Sequence, residues 1–138
     1  MTLLALDFDG VLHPGLAGTL IYIDRIESFL SDHPMVHVAF STTWRENYST
    51  SEMASWFPNT MRSRFVGSTP ILPDGPFQRW REIQAFRAGQ QMDGAWAALD
   101  DDASLFPPNC PELVLCDSAR GVRAPQLRSL EAVLDLRN

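Results

Sequence analysis

The chain has 138 residues, 45% hydrophobic and 20% charged, which suits one domain burying roughly two-thirds of its unfolded surface without disulfide or metal staples. Its 11 Lys+Arg against 17 Asp+Glu give a formal net charge of -6, so no basic field covers it and any nucleic-acid contact must be local. The longest apolar stretch, at the N-terminus, is broken by Asp7 and preceded by no basic region, so neither a membrane span nor a targeting signal is expected.

Leu3-Leu4-Ala5-Leu6 is a short continuous apolar run ending abruptly in Asp7-Phe8-Asp9-Gly10, the pattern of a strand buried on both faces. The following His13 to Thr19, with Gly15 and Gly18, reads as a short flap. Asp24 to Leu30 has apolar residues at helical spacing behind an Asp cap, and Met35 to Phe40, set off by Pro34, reads as a second strand. A weaker helix is expected from Asn47 to Trp56, and a short third strand over Arg64 to Gly67. The clearest helix runs from Phe77 to Gln91, where Trp80, Ile83, Phe86 and Arg87 outline one apolar face with a charged margin. Ala95 to Leu99 then leads into Asp100-Asp101-Asp102, and Glu112 to Cys116 into Asp117, two further apolar runs that finish in acids. Pro125 opens a last helix reaching Leu136. Cys110 and Cys116 match no disulfide framework or zinc spacing and read as reduced thiols of a cytoplasmic protein.

Strands alternating with helices predict a single Rossmann-like three-layer α/β/α domain over residues 1–138, with a mainly parallel sheet of about five strands and no large cap. Ligands of such sheets lie at the carboxyl ends of the strands. Asp7, Asp9, Ser41, Thr42, Asp100 and Asp101 all fall at that edge, although the sequence spreads them over most of its length.

An isolated Asp-x-Asp most often caps a turn. A second acidic pair at another strand end changes the reading, because several like charges buried together without a counter-ion are costly. A hard divalent ion removes the conflict, and an oxygen-only donor set with no Cys or His points to Mg²⁺ in preference to zinc.

Leu6-Asp7-Phe8-Asp9-Gly10-Val11-Leu12-His13 resembles the first motif of the haloacid dehalogenase (HAD) superfamily. Val38-Ala39-Phe40-Ser41 is similar to its second, and Ala97-Ala98-Leu99-Asp100-Asp101 to its fourth. The third motif needs a Lys or Arg near the start of the preceding helix, for which Arg79 and Arg81 compete and Arg79 is favoured. With Ser41-Thr42-Thr43-Trp44-Arg45 and Asp117-Ser118-Ala119-Arg120-Gly121-Val122 included, nearly the whole chain resembles the small HAD domains associated with Swiss Army Knife RNA-repair proteins.

The resemblance implies a Mg²⁺-dependent phosphatase in which Asp7 attacks phosphorus and Asp9 protonates the leaving oxygen, then activates water. It implies metal ligation by Asp7, by the main-chain carbonyl of Asp9 and by Asp100, with Asp101 in support and Asp102 a solvated loop acid. Ser41, the amide of Thr42 and Arg79 would hold the phosphoryl oxygens. A haloacid dehalogenase would not need Asp9; a non-catalytic phosphate- or partner-binding module is the alternative from another class. The intervals Gly10 to Asp24 and Gly67 to Arg79 hold no inserted domain, so an open site and a large phosphorylated partner, such as a nucleic-acid end, are expected. Around this set the sequence leaves choices open: His13 as a contact to substrate or metal water or a structural donor, Arg45 as a grip on a second phosphate or a base or a surface charge, and Thr42 or Thr43 as a rival hydroxyl to Ser41. Trp56, Trp80 and Trp96 are read as core.

Overall fold

The computed structural model describes residues 1–15 and 19–136. Its strands are β1 (Thr2–Leu6), β2 (Val36–Phe40), β3 (Phe65–Ser68), β4 (Trp96–Asp100) and β5 (Leu113–Leu115), and its helices α1 (Ile23–Asp32), α2 (Thr50–Ala54), α3 (Gln78–Gly89) and α4 (Ala124–Val133). All five strands are parallel in the order β3-β2-β1-β4-β5. The chain thus builds one side of β1 first and then crosses to the other, and such a switch point opens a crevice at the carboxyl ends of the strands.

Pleat alternation sorts the side chains of β1 into two cores. Leu4 and Leu6 join Val36, Val38 and Phe40 under Ile26, Phe29 and Leu30 of α1, Met53 of α2 and Leu130 of α4. Leu3 and Ala5 join Ala39, Trp96 and Ala98 under Ile83 and Phe86 of α3. The sheet is the middle of three layers, and its central strands β1 and β4 are buried on both faces, which is why they read as apolar runs.

Several elements differ from their sequence reading. The expected helix from Asn47 to Trp56 is shortened to α2, and a separate 3-10 turn, Thr43–Glu46, precedes it. Ser49 accepts from the Glu52 amide while Glu52 accepts from the Ser49 amide, so a capping box restarts the helix. α1 begins before Asp24, which lies in its first turn instead of capping it, and α4 stops at Val133, short of Leu136. The buried side of α3 is not an apolar stripe, since Arg79 and Glu82 share it with Ile83 and Phe86. Trp96 is core and Trp80 half-buried, but Trp56 is exposed.

Residues 69–77, between β3 and α3, contain no helix or strand. In the flap, the Gly15 amide donates to the Ser118 carbonyl and the Gly15 carbonyl accepts from the Gly10 amide; residues 16–18, Gly18 among them, lie outside the described residues. Cys110 and Cys116 are both free thiols. Among the described residues no helix is long and apolar enough to cross a membrane.

Candidate active site

The three central strands stop together. Leu6 is in register with Phe40 on one side and Leu99 on the other. The ladder continues one rung, with the Ser41 amide donating to Leu6 and the Asp7 amide to Leu99. Asp7, Ser41 and Asp100 therefore occupy adjacent strand ends, and each continues the alternation of residues that face α3.

α3 answers with a cation. Buried Arg79 donates through Nη1 to Asp100 Oδ2 at 2.8 Å and lies 3.3 Å from Asp7 Oδ2. Arg81 points its guanidinium elsewhere, to the carbonyls of Pro73 and Pro76 and to Gln78 Oε1. Of the two candidates, Arg79 is the one that reaches the acids.

Carboxylate oxygens of Asp7, Asp100 and Asp101 lie within 4.8 Å of one another. Asp101 folds over Gly10, whose φ of 72° sits in the left-handed region and whose missing side chain leaves the space: a Cβ there would stand 2.2 Å from Asp101 Oδ2. Asp102 is exposed and bound to the fold instead, its Oδ1 accepting from the amide and hydroxyl of Ser104. Its own amide donates to Asp100 Oδ1 at 3.0 Å and helps orient that carboxylate.

Crowding dominates the electrostatics. Burial, and then the neighbouring Asp100, hold the Asp7 carboxyl well above its ordinary 3.8, against the opposing pull of Arg79. Burial raises Asp100 as well, opposed by Arg79 and the Asp102 amide. Burial works against the Arg79 guanidinium, but Asp100 and Asp7 outweigh it and keep Arg79 above its usual value. Burial first, then Asp100, Asp101 and Asp7, push the Cys116 thiol up to about 12, which makes it inert. Three carboxylates facing one guanidinium leave two negative charges if all ionise, and all the donors are hard oxygens. This site fits a divalent cation of the Mg²⁺ class held by Asp7, Asp100 and Asp101.

Asp9 stands apart from that cluster. Its Oδ1 accepts from the Trp44 indole N–H at 3.2 Å and lies 2.9 Å from Nε2 of the fully buried His13. One carboxylate oxygen is thereby pinned, which fixes the orientation of the other. The Trp44 ring is itself braced edge-on against Phe8, 5.3 Å between centroids.

Ser41 is fully buried, and its Oγ has no hydrogen-bond partner among the described residues. The Thr42 hydroxyl is spent on the turn it begins, accepting from the Trp44 amide. Thr43, the third hydroxyl of the run, lines a cavity of about 280 Å³ together with Asp7, Asp9, Arg79, Asp101, Asp102 and Leu105. A separate cavity of about 470 Å³, lined by residues of α1 and the start of α4, includes none of the acids of the cluster.

Arg45 corrects both of its sequence readings. Its side chain is buried and pairs with buried Glu82 at 2.7 Å. It also donates to the carbonyls of Thr42 and Thr69 at 2.9 and 2.8 Å. It is a strut joining the loops after β2 and β3 to α3, neither a free phosphate grip nor a surface charge. Glu82 and Trp44 were not legible as site residues, and His13 was singled out without its link to Asp9. The signals present were Glu82 three residues after Arg79, on the same helical side, and His13 four residues after Asp9.

Comparison with known proteins adds one match: a family described as "HAD domain in Swiss Army Knife RNA repair proteins" matches residues 3–127. No curated protein and no solved structure matches the chain. The match takes in β1 with its Asp7-x-Asp9, Ser41 after β2, Arg79 on α3 and the acids that end β4. With a parallel five-stranded sheet that gathers those residues at one edge, the chain belongs to the HAD domain family of Swiss Army Knife RNA repair proteins.

Proposed function

We propose that the protein is a Mg²⁺-dependent phosphomonoesterase that works through an aspartyl-phosphate on Asp7. The observation that carries this reading is the division of labour between two acids two residues apart. Asp7 is packed against Asp100 and Arg79, whereas Asp9 is turned away and held by Trp44 and His13. That separation supports Asp7, beside the Arg79 guanidinium, as the nucleophile and Asp9 as the group that moves protons.

In the first step an Asp7 oxygen bonds to phosphorus as the bond to the leaving oxygen breaks, and Asp9 gives that oxygen its proton. In the second, Asp9 takes a proton from water, whose oxygen bonds to phosphorus as the Asp7–phosphorus bond breaks, releasing inorganic phosphate and restoring both carboxyl groups. In this reading Arg79 neutralises charge on the phosphoryl oxygens, and the Ser41 hydroxyl, without a partner among the described residues, donates to one of them. When bound, Mg²⁺ supplies the positive charge that keeps Asp7 ionised and lets an anionic phosphate approach it.

The family description refers to RNA repair proteins, which supports the phosphate of a nucleotide, free or at the end of a nucleic acid, as the substrate class. The test is turnover of an activated aryl phosphate and of nucleotide phosphates with and without Mg²⁺. Metal-dependent phosphate release that disappears in Asp7→Asn supports the reading. No turnover of any phosphomonoester by a folded, Mg²⁺-binding protein assigns the fold to a non-catalytic binding module.

A further inference from the structure

Next to Asp9 the crevice turns aromatic. Trp44, whose indole N–H holds Asp9, also lines a cavity of about 300 Å³ with Thr43, Glu46, Asn47 and Tyr48. Thr43 belongs both to this cavity and to the one that holds Asp7 and Arg79. The Trp44 and Tyr48 rings are tilted by 38° at 6.2 Å, and Tyr48 meets Trp56 edge-on at 4.9 Å. Tyr48 and Trp56 remain 41% and 37% exposed, so this ring cluster is only partly consumed by the core. Asn47 and Glu46 at its rim add an amide and a carboxylate, a donor and two kinds of acceptor for the edge of a polar ring.

The cations around the crevice are already engaged. All 11 basic residues are arginine. Arg79 is paired with Asp7 and Asp100, Arg45 with Glu82 and main-chain carbonyls, and Arg81 with Gln78 and two carbonyls. The adjoining groove, which Ile71 and Leu72 help to line, adds Glu46 and Asp74 to its wall. A flat polar ring is well served here, and a second phosphate is not.

We infer that the Trp44–Tyr48 cavity is a leaving-group subsite for a planar heteroaromatic ring of the nucleobase class, and that it takes one such base with no further backbone phosphate. The inference rests on the phosphatase reading for the position of the scissile phosphate, at Asp7. The leaving oxygen is the one Asp9 protonates, and Asp9 is in direct contact with Trp44, so the group carrying that oxygen extends toward the rings.

Two measurements decide it. In the first, kcat/KM is compared for nucleoside monophosphates, glycerol phosphate and a tetranucleotide bearing the same terminal phosphate. Nucleoside monophosphates are expected to exceed glycerol phosphate by about tenfold or more, as loss of one stacked base implies. The tetranucleotide should differ from the mononucleotide by less than about threefold, with little dependence on salt. Tyr48→Ala, and Tyr48→Leu as a bulkier substitute, should each shrink the nucleotide-to-glycerol ratio most of the way to one. In the second, unphosphorylated nucleoside is titrated against Asp7→Asn, following tryptophan fluorescence; saturable quenching that weakens in the Asp7→Asn, Tyr48→Ala double variant is expected. That readout needs no turnover, so binding without hydrolysis by wild type overturns the phosphatase reading and leaves the base site standing. Equal efficiency on nucleotide and glycerol phosphates with no saturable quenching overturns the subsite. A salt-sensitive gain of tenfold or more for the tetranucleotide overturns its restriction to one base.

Discussion

Gly10 and Asp101 occupy one another's space: the Asp101 carboxylate lies where a Gly10 side chain would begin, 2.2 Å from the position of a Cβ. With Gly10 at a φ of 72°, a residue that looks like a turn former also shapes the acid cluster. Gly10→Ala is therefore expected to cost about 1–2 kcal/mol through its left-handed backbone. By displacing Asp101 it should also weaken Mg²⁺ binding by about tenfold or more. Isothermal titration with Mg²⁺ alone checks this; unchanged affinity would mean that Asp101 takes no part in holding the ion.

Metal and pH should act on stability together. Asp7 and Asp100 both titrate above the usual 3.8, first because burial disfavours their charged forms, with repulsion from Asp100 adding for Asp7 and repulsion from Asp101 adding for Asp100 against the pull of Arg79. A carboxyl raised in the folded state favours folding when protonated, and that contribution is lost as pH climbs through its elevated value. The metal-free protein thus pays most near neutrality, where a bound cation relieves the repulsion. Saturating Mg²⁺ should raise Tm by several degrees at about pH 7.5 and by little at about pH 4.5. An equal rise at both would show that these carboxyls are not what the ion relieves.

Asp7→Asn and Asp9→Asn should be told apart by trapping and by stability. Both are expected to lose at least about 10²-fold in turnover. With an activated aryl phosphate, whose leaving group needs no proton, Asp9→Asn should accumulate phosphoryl-enzyme and Asp7→Asn none. Asp7→Asn should also melt higher than wild type without metal, because a neutral amide replaces a carboxyl crowded by Asp100. Label trapped on Asp7→Asn would identify another nucleophile.

Arg45→Ala should act on the fold before it acts on the substrate. Removing one member of a buried pair leaves Glu82 without the guanidinium it pairs with and takes the side-chain donor from the Thr69 carbonyl, a loss of about 3–5 kcal/mol. Urea unfolding measures it, and Arg45→Met combined with Glu82→Leu should recover a large part. A fully stable Arg45→Ala with impaired binding of phosphorylated substrate would restore the phosphate-grip role.

What the sequence disclosed follows from the range of the interactions involved. β1, β2 and β4 were readable because strands buried on both faces leave apolar runs, and their polar ends, acids after β1 and at β4 and hydroxyls after β2, marked the edge of the sheet. The break before α2 was also written locally, in the Ser49 to Glu52 box, but the weak helical pattern across Asn47 to Trp56 masked it. α3 was misjudged in character because its buried side carries Arg79 and Glu82, whose partners come from other elements. Trp44 reaches Asp9 across 35 positions and Arg45 reaches Glu82 across 37, and no spacing rule connects residues so far apart. Local order was legible, whereas side-chain contacts made by the crossovers were not.

The order in which the sheet is strung also divides the site between two stretches of chain. Asp7, Asp9 and Ser41 precede the irregular segment 69–77, while Arg79, Asp100 and Asp101 follow it. A proteolytic nick in that segment would yield two pieces, one with the proposed nucleophile and proton carrier, the other with the cation and the remaining acids. Neither piece alone could assemble the cluster. The buried Arg45–Glu82 pair bridges the nick, and β4 must regain its place beside β1 before Asp100 can meet Asp7. Mixed halves that recover Mg²⁺ binding would thus make the metal site a reporter of fragment complementation, sensitive to completion of the sheet where helix content alone is not.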